Sequence, residues 1–248
     1  MLIIPAIDIK DSQCVRLVQG KAENQEVFSN DPCAMAKKWE EQGAKLLHIV
    51  DLDGAFQGNP VHQSLIKKIA RTVNIPIQVG GGIRDEDTIK QYLDCGIQRV
   101  IMGTFLLSQG QENIQNIVRK FNNHIIAGID VKNNRLAIKG WLQEVDQPVE
   151  KFMTHLKEMG IKRMIYTDIH RDGMLNGPNI DMIKKILQKS ETKIIASGGI
   201  SSMDDLYQLQ QLENSGLEGA IVGKALYKGN IKLGEAVRIF QNKRGNTI

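Results

Sequence analysis

The segment IIPAIDIK at Ile3–Lys10 returns as IIAGIDVK at Ile125–Lys132, so Asp8 and Asp130 stand 122 positions apart. Three further matches follow in the same order. DGAFQGNP at Asp53–Pro60 corresponds to DGMLNGP at Asp172–Pro178, with an offset of 119 from Gly54 to Gly173. GGI at Gly81–Ile83 corresponds to GGI at Gly198–Ile200, with an offset of 117. VIMGTFLL at Val100–Leu107 corresponds to AIVGKALY at Ala220–Tyr227, with an offset of 120 from Gly103 to Gly223. Four ordered matches at a nearly constant spacing point to a fold made of two similar halves.

Each half alternates strand and helix. Apolar strand candidates are Leu2–Ile9, Leu46–Leu52, Ile75–Val79 and Arg99–Met102, then His124–Val131, Arg163–Thr167, Lys193–Ala196 and Gly219–Val222. Amphipathic helix patterns between them run into Gly43, Gly96, Gly160 and Gly216, the expected stop signal. Continuous apolar strands separated by helices mean a parallel sheet covered by helices. Eight such units in 248 residues fit an α/β fold of the (β/α)8 type. An open doubly wound sheet is the alternative; the repeat of four units favours two half-barrels that complete a ring. The expected organisation is one domain over 1–248, with half-barrels at about 1–122 and 123–240 and a polar tail at 241–248.

Composition narrows the functions. Thirty-two basic residues against 28 acidic ones leave a scattered formal charge of +4. That small excess suits an anionic small molecule and gives no footing for nucleic acid, as does an aromatic content of 5%. No apolar run reaches the ~18 residues of a membrane span, and nothing at the start reads as a signal segment. Cys14, Cys33 and Cys95 form neither a disulfide framework nor a metal motif. They read as reduced thiols of a cytoplasmic protein. The five histidines show no ligand spacing, so no metal is expected.

In such barrels the active site lies at the C-terminal ends of the strands. Asp8 and Asp130 close strands one and five, which face each other across the ring, as a general base and a general acid would. Gly81-Gly82 and Gly198-Gly199 end strands three and seven, and Gly103-Thr104 and Gly223-Lys224 end strands four and eight. Glycine turns that present backbone N–H groups ahead of a short helix attract phosphate. The doubled set predicts two phosphate sites on opposite sides of the mouth. A Cβ added at Gly82 or Gly199 is then expected to displace phosphate and spare the aspartates. Polar residues also cluster after strand six, in YTDIHRDG at Tyr166–Gly173 with Thr167 and Asp172, and after strand two, in VDLDG with Asp51. Trp141, on a long excursion after strand five, could stack on a planar ligand.

The stretches IIPAIDIKD, HIVDLDGAFQGNP, QVGGGIR, GIDVK, YTDIHRDGMLNGPN and SGGI together resemble the phosphoribosylformimino-5-aminoimidazole carboxamide ribotide isomerases of histidine biosynthesis. The resemblance runs from Leu2 to about Phe240. It implies an Amadori rearrangement of an aminoaldose to an aminoketose, on a small ribotide with two phosphates, without a cofactor and in a monomer. By resemblance Asp8 is the base and Asp130 the usual proton donor. Asp172 is the rival donor, expected to be placed only when its loop closes, and Thr167 assists. Arg16, Gly20, Asp51 and Gly173 complete the candidate substrate-binding set with the glycines, Thr104, Trp141 and Lys224. The sister cyclase subunit of imidazole glycerol phosphate synthase usually carries Cys-Leu-Asp where this chain has Ala6-Ile7-Asp8. A reading from another class is a barrel that binds a phosphosugar without turnover. Departures from the family pattern fall on loops: Ser12 where Gly often follows the Asp, Lys21 for an Asp, Glu26 for a Thr and Met174 for a Thr.

Overall fold

In an extended strand every second side chain points the same way. Leu2, Ile4 and Ala6 join Leu46, Ile126, Ile165, Ile195 and Ile221 in one apolar cluster, whereas Ile3, Ile7 and Ile9 join a larger cluster that includes the helices. One chain therefore builds two cores, one inside a ring of strands and one between that ring and its helical cover. The structure is a computed structural model that describes residues 1–18, 21–103, 105–133, 135–138, 141 and 143–241. The polar tail from 242 onward lies outside them.

The first half runs β1 (Leu2–Lys10), β2 (Gln13–Val18), β3 (Lys21–Ser29), α1 (Pro32–Glu41), β4 (Leu47–Asp51), α2 (Leu52–Gln57), α3 (Gln63–Thr72), β5 (Ile77–Gly80), α4 (Glu86–Leu93), β6 (Arg99–Met102), α5 (Phe105–Ser108) and α6 (Gln111–Phe121). The second runs β7 (Ile125–Lys132), β8 (Arg135–Ile138), β9 (Gln143–Pro148), α7 (Val149–Glu158), β10 (Arg163–Asp168), α8 (Ile180–Lys189), β11 (Lys193–Ser197), α9 (Met203–Gln210), β12 (Leu217–Val222), α10 (Lys224–Tyr227) and α11 (Leu233–Phe240). Strands β1, β4, β5, β6, β7, β10, β11 and β12 pair in parallel in that order. The ring closes where β12 pairs with β1, from Leu2 against Gly219 to Pro5 against Val222. The fold is a (β/α)8 barrel, and closure excludes the open sheet.

The helices start and stop where local chemistry demands. Asp31 caps α1 by accepting from the Ala34 N–H at 3.0 Å, with Pro32 at its first turn. Ser202 and Asp205 form a reciprocal capping box on α9. Gly43, Gly96, Gly160 and Gly216 all sit at positive φ, the left-handed conformation that ends a helix cheaply only at glycine. At the N-terminal end of the barrel, Glu218 accepts from Arg99 at 3.3 Å and from Arg163 at 2.7 Å.

The two β-hairpins were not among the expected elements. β1 continues past the ring into antiparallel pairing with β2, and β7 does the same with β8. The registers are copies of each other. Asp8 faces Val15 and Lys10 faces Gln13; Asp130 faces Ala137 and Lys132 faces Arg135. The duplication therefore extends to the excursions that rise from the mouth. Among the described residues no helix is long and apolar enough to cross a membrane.

Candidate active site

The period-two pattern of β1 continues through Ala6 to Asp8, and both line the cavity at the C-terminal mouth. On β7 the inward set is Ile126, Gly128 and Asp130; on β10 it is Ile165 and Thr167. β1 and β7 lie four strands apart in a ring of eight, so Asp8 and Asp130 converge from opposite walls. Neither residue is the last of its strand: each is followed by two more strand residues that lead into the hairpin.

The hairpins give the two carboxylates different partners. Arg16 on β2 donates from Nη1 to Asp8 Oδ2 at 2.6 Å and from Nη2 to the Ala6 carbonyl at 2.7 Å. Its guanidinium also lies 5.4 Å from the centre of the Tyr227 ring. The repeat position of Arg16 in the second half holds Ile138. There the donor comes instead from Trp141, whose Nε1 donates to Asp130 Oδ2 at 2.8 Å. A cation holds one aspartate, and neutral donors hold the other.

Burial raises both carboxyls above the ordinary value; Arg16 opposes it at Asp8, and hydrogen bonds from Trp141 and Thr167 oppose it at Asp130. Asp8 in turn holds the Arg16 guanidinium above its usual value against the effect of burial. Because arginine does not give up its proton, protonating Asp8 would strand a buried cation, which favours the charged form of the pair.

Asp172 completes the set. Its loop follows β10 and is tied down at several points. The N–H groups of Arg171 and Asp172 donate to the Asp168 carbonyl at 3.2 and 3.0 Å. Arg171 Nη1 reaches the Gly177 carbonyl at 3.0 Å, and Lys224 Nζ reaches the Gly173 carbonyl at 3.1 Å. The structure thus holds Asp172 at the cavity wall with this loop in place. Burial pushes its carboxyl up to about 7, with Asp8 and Asp130 adding to the rise and Arg16 and Lys224 opposing it. His48 also lines the cavity, but burial, with Arg16 adding to it, pushes it down to about 3 and keeps it neutral.

Most sequence candidates meet in this one cavity. Asp8, Arg16, Gly81, Gly82, Gly103, Asp130, Trp141, Thr167, Asp172, Gly173, Gly198, Gly199, Gly223 and Lys224 all line it. Asp51 does not. It is fully buried and accepts from the N–H groups of Gly54, Val61 and His62 at 2.7–2.8 Å, so it organises the loop after β4. Gly20 and Thr104 lie outside the described residues. The short helices α5 and α10 follow Gly103 and Gly223 as expected.

The glycine pairs differ from expectation in what they face. A Cβ on Gly81 would lie 2.1 Å from the Asp51 carbonyl oxygen, and one on Gly198 2.6 Å from that of Asp168. A Cβ on Gly82 would meet the backbone of Asn59 and Gly54, and one on Gly199 would lie 2.3 Å from the Gly177 carbonyl oxygen. The missing side chains make room for the neighbouring loop in both halves. Substitution at Gly199 therefore cannot be presumed to spare the aspartates, because that loop carries Asp172.

Sequence reasoning missed Arg84, Ser197 and His48 in the lining. Arg84 had a signal: it follows GGI where the second copy has Ser201, a break in the repeat that places one extra cation beside the first glycine pair. Among the described residues no group of three or more His, Cys, Asp or Glu side chains is placed to hold a metal ion.

Known proteins share this chain's pattern over nearly its whole length. A relative from Desulforudis audaxviator is 44% identical over 246 residues, covering 99% of this chain and 94% of its own. One from Halothermothrix orenii is 48% identical over 234 residues, covering 94% and 97%. One from Gloeothece citriformis is 45% identical over 248 residues, covering 100% and 96%. Each is named as a 1-(5-phosphoribosyl)-5-((5-phosphoribosylamino)methylideneamino) imidazole-4-carboxamide isomerase. Residues 2–232 match the sequence pattern described as histidine biosynthesis protein, and with that match the chain belongs to the histidine biosynthesis protein family.

Proposed function

We propose that this chain catalyses the isomerisation for which its relatives are named, the Amadori rearrangement of an aminoaldose into an aminoketose on a substrate with two phosphoribosyl groups. The observation that carries the proposal is the meeting of Asp8, Asp130 and Asp172 in one cavity with unequal partners. Groups whose surroundings push their proton affinities apart are suited to separate acid and base roles.

The reaction needs an acid to deliver a proton to the ribose ring oxygen as the ring opens to a Schiff base. It then needs a base to take the proton from the second sugar carbon, giving an enolamine that tautomerises to the ketone. Asp8, kept charged by Arg16, is the proposed base. The resemblance puts Asp130 first as the acid, but the surroundings favour Asp172. Its carboxyl at about 7 keeps a large protonated fraction at neutral pH. Asp130, engaged by Trp141 and Thr167, then orients the substrate or serves as a second donor.

The two phosphates are proposed to sit on opposite sides of the mouth. One lies at Gly81–Gly82 with Gly103–Thr104 and Arg84, the other at Gly198–Gly199 with Gly223–Lys224. Every proposed group comes from one chain, so the proposed working unit is a monomer. The proposed chemistry is proton transfer alone and calls for no cofactor. The proposed place of the reaction is the cytoplasm, which suits a charged, phosphorylated substrate.

The test is incubation of the purified chain with the aminoaldose ribotide, with ketose formation followed by coupling to the cyclase. Steady turnover is expected. Calorimetric binding of the ribotide without turnover would contradict the proposal and favour a binding barrel.

A further inference from the structure

Gly103 and Gly223 occupy the same place in the two halves, yet their surroundings differ. A Cβ on Gly103 would have as its nearest neighbour the Gly128 carbonyl oxygen, at 3.6 Å, an ordinary contact. A Cβ on Gly223 would lie 2.5–2.8 Å from Arg16 Cζ, Nη2 and Nη1. The guanidinium that bridges Asp8 and the Ala6 carbonyl therefore occupies the space a side chain at 223 would fill.

We infer that Arg16 is a positioning residue that keeps Asp8 ionised and aimed into the cavity, and that Gly223 is a slot for Arg16 as well as a turn of the phosphate site. The inference rests on Asp8 being the base and assigns the device that sets its charge. The device belongs to one half-barrel only, since Ile138 stands at the repeat position of Arg16. It is therefore one way in which a duplicated scaffold gives its two aspartates different tasks.

The ionisable neighbours of the pair leave its signature legible. Arg16 and Cys14 face Asp8 from β2, Tyr227 from α10 and Asp172 from the loop after β10, while His48 on β4 faces Arg16. Asp130 and Lys224 act on Asp172 from beyond it. Burial pushes Cys14 up to about 12 and raises Tyr227, and it pushes His48 down to about 3. Asp172, at about 7, governs the alkaline side. Asp130 shares the acid side with Asp8, so the carboxyl titration assigned to Asp8 shows which of the two a movement of the acid limb of kcat/KM reports.

The experiment measures that limb, together with the 13C carboxyl titration of Asp8 assigned by difference from Asp8→Asn. Both are recorded for wild type, Arg16→Met, Arg16→Lys, Gly223→Ala, Gly103→Ala and the Arg16→Met/Gly223→Ala double variant. Losing a cation this close should raise the Asp8 titration and the acid limb by about 1–3 pH units in Arg16→Met. Arg16→Lys, which keeps the charge but not the two-pronged grip, should move them less. Gly223→Ala should move them in the same direction and Gly103→Ala should not. The double variant should match Arg16→Met, because the glycine acts through the arginine. An Asp8 titration unmoved by Arg16→Met, or a Gly223→Ala shift that persists without Arg16, would overturn the inference. If wild type shows no turnover, the proposed function fails, while the carboxyl titration still decides this point.

Discussion

Asp172→Asn and Asp130→Asn, assayed side by side, separate the two candidates for the acid. With Asp172 as the donor, its loss should cost about 10²–10⁴-fold in kcat and remove the alkaline limb expected near pH 7 in wild type. Asp130→Asn should be milder and keep that limb. The opposite ranking would restore Asp130 to the role the resemblance gave it. Stability gives an independent reading of the same carboxyl. Its folded-state affinity for a proton is raised, from an ordinary 3.8 to about 7. The stabilisation from holding that proton is present below the ordinary value and is lost as pH rises through about 7. Asp172→Asn, which cannot ionise, should therefore melt higher than wild type at pH 8 and show no gain at pH 4. Ser12 belongs to this scale too. It sits at φ 61, the conformation that explains why glycine is frequent there, and Ser12→Gly relieves a left-handed serine without touching the cavity.

The elements that matter most at the mouth are the loops packed on the glycine pairs. Gly199→Ala forces its Cβ against the Gly177 carbonyl oxygen at 2.3 Å and against Arg171 Cβ at 2.8 Å. The loop must move, and Asp172 moves with it. A shift of ~1 Å in a reacting group costs about 10²-fold, so kcat should fall along with affinity and the melting temperature. Gly82→Ala displaces the loop around Asn59, which carries no proposed acid, and should act mainly on KM. Equal kcat losses in the two variants would show that the loop after β10 does not position the acid. The barrel strands were legible to within two residues at their ends, because buried parallel strands are continuous apolar runs closed by glycine or aspartate. The hairpins were not. β3 reads KAENQEVFS and β9 reads QEVDQP, polar segments whose letters show no apolar period. β3 pairs with β2 and β9 with β8, and those in turn pair with β1 and β7 where they extend beyond the ring, which no local pattern reveals. Arg16 could be named from the resemblance, but its grip on Asp8 could not, because that contact depends on the unseen hairpin register.

The molecule as a whole is a scaffold of two similar halves that differ where charge is concerned. The repeat makes the ring, the facing aspartates and the paired glycine turns readable in the sequence alone. It could not show that Asp51 turns away from the cavity into a set of backbone N–H groups, while Asp8 and Asp130 turn inward. Two half-sites of similar build predict two anions. Crystals soaked in inorganic phosphate should show density at Gly81–Gly82 and again at Gly198–Gly199, and density at one place only, even with substrate bound, would favour a singly phosphorylated ligand. The most direct test of the whole account is the rate at which wild type and Asp8→Asn convert the aminoaldose ribotide, measured together on folded protein with matched circular dichroism. Wild type should turn the ribotide over and Asp8→Asn should lose at least ~10²-fold; near-equal rates in the two would contradict the claim that this inward aspartate is the base.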